Sequence, residues 1–235
     1  MTQRAASRPV PTIGEALRAA ASDFFFNSWR MVPANALWAA GLVATVLAFL
    51  VVPPLGILLS VVLTLPAAGV FKLATIVARG EPVAFSDALE VWTDQPMRLL
   101  GIGAAVVISG LVLVTNLLSG AVSESPVGWA IATLAGWGLV AGWCWLLCLW
   151  PILLDPTTPR RPMASARLAA LVVLAHPIRI AVLAGVLGFV LVVSAVAFML
   201  LFTVSYAYVA LAAARYALPA ADRMEAFLEE RGGRA

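Results

Sequence analysis

Apolar segments of about 20 residues follow one another along most of this chain, and they limit its fold more than any other feature. A segment of that length crosses the hydrocarbon core of a membrane as a helix. Of the 235 residues, 63% are apolar and 11% are charged, and the mean hydropathy of +1.00 lies far outside the range of soluble domains. We therefore predict an all-α, polytopic membrane helical bundle. The six predicted transmembrane helices are 34–52, 55–76, 99–118, 128–153, 180–200 and 202–218.

The positions of the charged residues bear on whether there are five spans or six. Between 180 and 218 only Arg215 is charged, so this stretch could be one helix of about 58 Å. It could also be two spans that turn near Phe202 and Thr203. Only the second arrangement places all fifteen Lys and Arg residues on one side, as the positive-inside rule expects. We predict a multi-pass protein of the bacterial cytoplasmic (inner) membrane with both termini inside and Glu124 as the only charge outside.

The predicted organisation is a single integral membrane domain over residues 1–235. Residues 1–33 form an N-terminal cytoplasmic amphipathic segment, 34–218 form the six-span bundle, and 219–235 form a cytoplasmic tail. Pro33, Pro96 and Pro177 each follow a stretch of helical character and precede an odd-numbered span. Because the residue before a proline disfavours the helical conformation, each can mark a change of direction. The spans are thus predicted as three hairpins, each preceded by an inner-surface amphipathic helix.

The second surface helix has the clearest amphipathic pattern, with apolar residues on one face and three acidic residues on another. Such a helix lies at a membrane surface and exposes its polar face. We interpret it as a candidate docking helix for a partner. Its residues are Phe85, Asp87, Leu89, Glu90, Trp92 and Asp94.

Residues suited to catalysis or metal binding are scarce. The span centres carry no ionisable residue, although proton relays and intramembrane enzymes usually have them there. His176 is the only histidine, and Cys144 with Cys148 are the only cysteines, a spacing that matches no metal or disulfide motif. We expect no catalytic residue, metal or cofactor, and no enzymatic activity. The nearest candidates for an intramembrane enzyme are Asp155, His176 and Arg179.

Two further sets of side chains are candidates for binding. One is a basic group that could contact an anionic lipid or a phosphate, although insertion topology alone also explains it: Arg160, Arg161, Arg167 and Arg179. The other could line a cavity for an uncharged solute: Thr64, Asn116, Trp143 and Trp145. Small residues spaced four apart on the fourth and fifth spans suit close helix packing, within the chain or in a homo-oligomer.

Several short motifs between residues 12 and 218 carry a family resemblance. They are NALW at 35–38, PPLG at 53–56, FKL at 71–73, ARGEP at 78–82, FSD at 85–87, WPILLD at 150–155, ARLAA at 166–170 and HP at 176–177. With these motifs the chain resembles the YesL-like family of bacterial integral membrane proteins of unknown function. The resemblance implies a small polytopic protein encoded near carbohydrate-uptake systems, and it implies no catalytic residues.

Three functions stay open on the sequence alone. The first is a non-enzymatic accessory or interaction protein, associated with carbohydrate transport, whose partners are membrane lipids and a membrane protein such as a sugar permease. The second is a small permease or pore for an uncharged solute. The third is an intramembrane enzyme acting on lipid-linked substrates. A nucleic-acid partner is not expected, because the positive charges flank apolar segments as membrane insertion requires.

Overall fold

A computed structural model describes residues 10–232 of the chain, with side chains up to residue 230. Within that range the chain forms helices and no strand, which confirms the predicted all-α class. The helices are α1 (Ile13–Val51), α2 (Pro53–Val62), α3 (Thr64–Arg79), α4 (Ser86–Asp94), α5 (Pro96–Ala121), α6 (Pro126–Leu153), α7 (Pro162–Ala175), α8 (Pro177–Val196), α9 (Phe198–Thr203) and α10 (Ser205–Gly232).

Five helical segments in the described range are long and apolar enough to cross a membrane, as a multi-pass membrane protein requires. They are α1, α2 with α3 as one segment, α5, α6 and α8. The second segment is interrupted at Leu63. Pro66 lies three residues further on and has no amide hydrogen to donate to the carbonyl of Val62, which explains why the helix is interrupted there.

Helix α10 is the centre of the bundle, although it is less apolar than the other long helices. It packs against α1, α3, α6, α7 and α8. From Ala207 to Ala221 nearly every side chain is buried, and most of them are alanines. Alanine lets neighbouring helix backbones approach closely, and a helix that other helices surround needs no large apolar side chains for lipid.

The stretch 180–218 is not one long helix. It breaks at Ala197 and at Val204, which separates α8 and α10 by the short helix α9. The second break lies next to the predicted turn at Phe202 and Thr203. Asn35 of α1 is fully buried beside this break. Its side chain donates to the carbonyl of Leu201 at 2.8 Å and accepts from the amide of Ala207 at 2.9 Å, so it replaces helical hydrogen bonds that the break removes.

The order of a short helix, a proline and a long apolar helix is present in two of the three predicted copies. Helices α4 and α7 end just before Pro96 and Pro177, where Gln95 and His176 leave the helical conformation. The first copy differs, because α1 continues through Pro33 and so crosses the predicted boundary between 1–33 and 34–218.

Helix α1 nevertheless bends. The hydroxyl of Tyr208 donates to the carbonyl of Leu17 at 3.3 Å, and the adjacent Ala207 binds Asn35. On a straight helix Leu17 and Asn35 would lie about 27 Å apart, too far for both contacts. Pro33, inside α1, is the residue expected to bend it.

Most of the segment predicted as a cytoplasmic tail, 219–235, is helical. Helix α10 continues through Pro219 to Gly232. A helix tolerates proline when its neighbours support it. The side chains of Asp222 and Glu225 in this extension bind other parts of the bundle.

Small residues of α6 are used inside the chain. At the turn between α5 and α6, a Cβ atom added to Gly120 would lie 2.4 Å from the carbonyl oxygen of Gly128 and 2.9 Å from the amide nitrogen of Ala132. Close approach of the two backbones therefore requires glycine at position 120. Gly142 on α6 and Gly185 on α8 remain open, with nothing within 4 Å of an added Cβ.

Candidate functional site

The C-terminal ends of α3 and α6 meet the C-terminal half of α10 at one end of the bundle. Arg79, the last residue of α3, binds Asp155 just beyond α6, with Nε to Oδ1 at 3.1 Å and Nη2 to Oδ2 at 2.5 Å. The same guanidinium group binds Asp222 of α10 at 2.7 and 2.9 Å. We call this region the charged end, defined by Arg79, Asp155, Arg160, Asp222 and Glu225.

Asp155 is the most buried charged side chain of the charged end, with no side-chain exposure. Thr157 donates to it through its amide and hydroxyl groups, and Thr158 through its hydroxyl group. Burial raises the pKa of Asp155, but the hydrogen bonds and charge of Arg79, with the two hydroxyls, lower it by more, so the pKa lies below its ordinary value. The carboxylate therefore stays ionised and hydrogen-bonded to its protein partners, a state that does not suit a general acid or base.

Helix α10 binds three other parts of the bundle at this end. Arg215 forms two hydrogen bonds with Asp23 of α1, at 2.5 and 2.7 Å. Asp222 binds Arg79 of α3, and Glu225 accepts from Arg160 at 2.6 and 2.7 Å. Because these acceptors and donors come from separate elements, the ion pairs fix the central helix relative to its neighbours.

A cavity of about 300 Å³ opens at the charged end between α4, the start of α5 and the connection after α6. We call it the charged pocket. Its charged lining residues have both signs: Lys72, Arg98, Arg160, Asp87, Glu90, Asp94 and Asp155. The predicted docking helix therefore turns its acidic face into this pocket.

The predicted docking helix, α4, is packed against α3. Trp92 donates its indole N–H to the carbonyl of Leu65 at 2.8 Å. A Cβ atom added to Gly69 of α3 would lie 2.8 Å from the carbonyl oxygen of Ala88, so the two helices are in close backbone contact. Phe85 also packs on the core, whereas Leu89, assigned to the apolar face, is exposed.

A second cavity of about 580 Å³ lies between α5, α6 and the start of α7. We call it the apolar groove. Trp143 and Trp145 line it, as predicted for a cavity, and both indole N–H groups bind backbone carbonyls, of Ala184 and Ala166 respectively, at 3.1 Å. The other two predicted lining residues are elsewhere.

Thr64 lines neither cavity. It packs against Gly103 of α5 and donates to the carbonyl of Val61 at 2.6 Å. Asn116 is exposed on α5 and is absent from the lining of both cavities. The four predicted residues therefore do not form one path.

The four predicted phosphate or lipid contacts are also separated. Arg160 lines the charged pocket and is bound by Glu225, with Asp155 3.5 Å away. Arg161, Arg167 and Arg179 are exposed and do not line that pocket. The proposed enzyme candidates do not gather either, since Asp155 binds Arg79, whereas His176 lies near Arg179 and Arg223.

Burial and the neighbouring positive charges of Arg179 and Arg223 lower the pKa of His176. Within the described part of the chain, no group of three or more His, Cys, Asp or Glu side chains could hold a metal ion. No family model, curated protein or solved structure matches the chain.

Two groups of residues at the charged end are not predicted from the sequence. The insertion rule alone accounts for Lys72 and Arg98 in the sequence, yet both line the charged pocket. Asp222 and Glu225 lie in the predicted tail. Their spacing from Arg215, seven and ten residues along a helix, was a usable signal, because it places all three near one side of α10.

Proposed function

We propose that this chain is a non-enzymatic accessory protein of the bacterial cytoplasmic membrane that binds another membrane protein. The observation that carries the proposal is the pairing of charges at the charged end. Arg79 binds both Asp155 and Asp222, and Arg160 binds Glu225. These pairs join separate elements and so hold the helices in place. A rigid framework of this kind suits an interaction protein better than a catalyst.

The proposed topology has six crossings with both termini in the cytoplasm. In it, α9 and α10 together form the sixth crossing, and the charged end faces the cytoplasm because arginines are retained on that side. The contact of the C-terminal ends of α3 and α6 with the C-terminal half of α10 supports this arrangement, since alternate crossings run in the same direction. The crossings then pair as three hairpins.

Reporter fusions test this topology. A fusion at Glu124 should report the periplasmic side, and a fusion after Ala235 should report the cytoplasmic side. The same side for both fusions would favour five crossings and would contradict the proposal.

The proposed partner is the membrane subunit of a carbohydrate-uptake system, contacted through the charged end. The basis for carbohydrate uptake is the resemblance to the YesL-like family, which remains a prediction. The alternative of a permease for an uncharged solute is less well supported, because Thr64 and Asn116 lie apart from the apolar groove and both indole N–H groups in the groove are occupied.

Site-specific photo-crosslinking in native membranes tests the partner. A crosslinking residue at Leu89, exposed on α4, should give one discrete adduct with a sugar-permease subunit. Trp129, exposed at the first turn of α6, is the matched control and should not give that adduct. Absence of a discrete adduct at Leu89, or the same adduct from both positions, would contradict the proposed contact.

A further inference from the structure

The charged pocket and the apolar groove adjoin, and we call the two together the depression. Leu153 lines both cavities. Leu99 in the pocket and Ile102 in the groove are one turn apart on α5, and Arg160 in the pocket lies two residues from Pro162 in the groove. The polar pocket at one end of the bundle thus lies next to an apolar groove along α5 and α6.

The apolar part has the length and lining for a hydrocarbon chain. Along α6 its residues run from Gly138 to Leu153, a rise of about 22 Å. One leaflet of a bilayer core is about 15 Å thick. The groove is open because Gly110 and Gly142 present no side chain, and an added Cβ at either position would meet nothing within 4 Å. The two tryptophans of the groove have their N–H groups bound to carbonyls, so they offer only ring surfaces.

The polar part offers uncommitted groups of both signs. Among the described residues, no hydrogen bond or ion pair engages the carboxylates of Glu90 and Asp94. Lys72 has one long contact, 3.5 Å to the carbonyl of Leu154. Arg98 binds Gln95 and the carbonyl of Arg160, and its Nε is buried without a partner.

The charges of the pocket select a class of ligand. A purely anionic headgroup would be repelled by the carboxylates of Glu90 and Asp94. A purely cationic headgroup would be repelled by Lys72 and Arg98. A headgroup that carries both a phosphate and an ammonium group satisfies both pairs through charge-assisted hydrogen bonds. A primary ammonium group can donate hydrogen bonds to the two carboxylates, whereas a trimethylated one has no N–H to donate.

We propose that the depression binds one phospholipid with a primary-amine headgroup. Its phosphate is bound by Arg98 and Lys72, its ammonium group by Glu90 and Asp94, and one acyl chain lies in the groove across Gly110 and Gly142. The lipid comes from the leaflet at the charged end. The site is independent of any protein partner, because all of its groups belong to this chain.

Lipid retention by the full-length protein tests the proposal. The protein is stripped of lipid in detergent and titrated with dioleoyl phosphatidylethanolamine, phosphatidylcholine or phosphatidylglycerol, and native mass spectrometry counts the lipids retained. We expect phosphatidylethanolamine to be retained at about tenfold lower concentration than the other two, the size of one or two lost charge-assisted hydrogen bonds. Equal retention of the three lipids would overturn the proposal.

Two sets of variants separate the parts of the site. The double variant Glu90→Gln with Asp94→Asn should remove the preference for phosphatidylethanolamine while the protein stays folded, because these side chains are exposed on α4. Gly142→Leu should fill the groove and reduce retention of all three lipids by about tenfold. Gly185→Leu on α8 is the matched control, since it also has open space around it, and should change nothing.

Soluble phosphoethanolamine separates a lipid from a free headgroup as the ligand. It should compete only weakly, because it lacks the acyl chain that the groove holds. Competition as strong as that of the intact lipid would overturn the lipid proposal in favour of a small-molecule site. Unchanged retention in Gly142→Leu would overturn it as well.

Discussion

The two ends of the bundle are held together in different ways. At the charged end, side chains from α3, α10 and the connection after α6 meet in ion pairs around Arg79. At the opposite end, the backbones of α5 and α6 are in direct contact, with Gly120 packed against Gly128. Charged groups are tolerable where water or headgroups can solvate their outer sides, whereas a small-residue contact needs no polar partner. The chain therefore uses a different kind of contact at each end.

The largest effect is expected from Arg79→Gln. Asp155, which has no side-chain exposure, would lose its bidentate partner. Breaking a buried pair costs about 3–5 kcal/mol, and because 19% of the Arg79 side chain is exposed we expect a loss of about 3 kcal/mol in the free energy of unfolding. Denaturant unfolding in mild detergent measures it.

Arg215→Gln is the matched control for this prediction. Its pair with Asp23 is more open, with side-chain exposures of 31% and 17%. The expected loss is about 1 kcal/mol. If the two variants lost the same free energy of unfolding, the burial of Asp155 would not explain how much the Arg79 ion pairs stabilise the protein.

The next largest effect is expected from Gly120→Ala at the opposite end. The added methyl group would overlap the carbonyl of Gly128, so α5 and α6 would have to separate. Overpacking of this kind costs about 2 kcal/mol. Thermal unfolding followed by size-exclusion chromatography can rank this variant against Gly101→Ala.

Gly101 has nothing within 4 Å of an added Cβ atom. The alanine there should stabilise α5 by about 0.5 kcal/mol through helix propensity. If both glycine variants behaved alike, the opposite end would not depend on close backbone contact.

Asn35→Leu tests the two hydrogen bonds that the buried Asn35 side chain makes to the backbone at the break near Val204. The variant leaves the amide of Ala207 without an acceptor, while the carbonyl of Leu201 keeps the hydroxyl of Ser205 at 3.0 Å. One unsatisfied buried group costs about 1–2 kcal/mol. Asn116→Leu, exposed on α5, is the control and should not lower the unfolding temperature. If the control lost as much stability as Asn35→Leu, the hydrogen bonds of Asn35 would not be what stabilises this break.

Local features of the sequence predicted much of the fold. The ends of α4 and α7 follow from Pro96 and Pro177, and the apolar segments follow from span length. The central position of α10 could not be read from hydropathy. A helix surrounded by protein loses the large apolar side chains that lipid contact favours, so α10 has a weaker apolar signal than the peripheral α8.

The contacts of the candidate site were less predictable. Arg79 lies 76 residues from Asp155 and 143 from Asp222, and nothing local in the sequence relates them. Arginines near span ends satisfy the insertion rule whether or not they are paired. The acidic face of α4 was recognised, but only packing against α3 shows that it faces Lys72 and Arg98.

The smallest effect is expected from acid, through Asp155 at the charged end. The pKa of Asp155 is lowered in the folded protein, so its contribution to stability is complete above the ordinary pKa of an aspartate, about 3.9, and is lost as the pH falls below that value. Unfolding temperatures measured between pH 2 and pH 5 should therefore fall more steeply in the wild type than in Asp155→Asn. Parallel profiles would show that another group controls acid sensitivity.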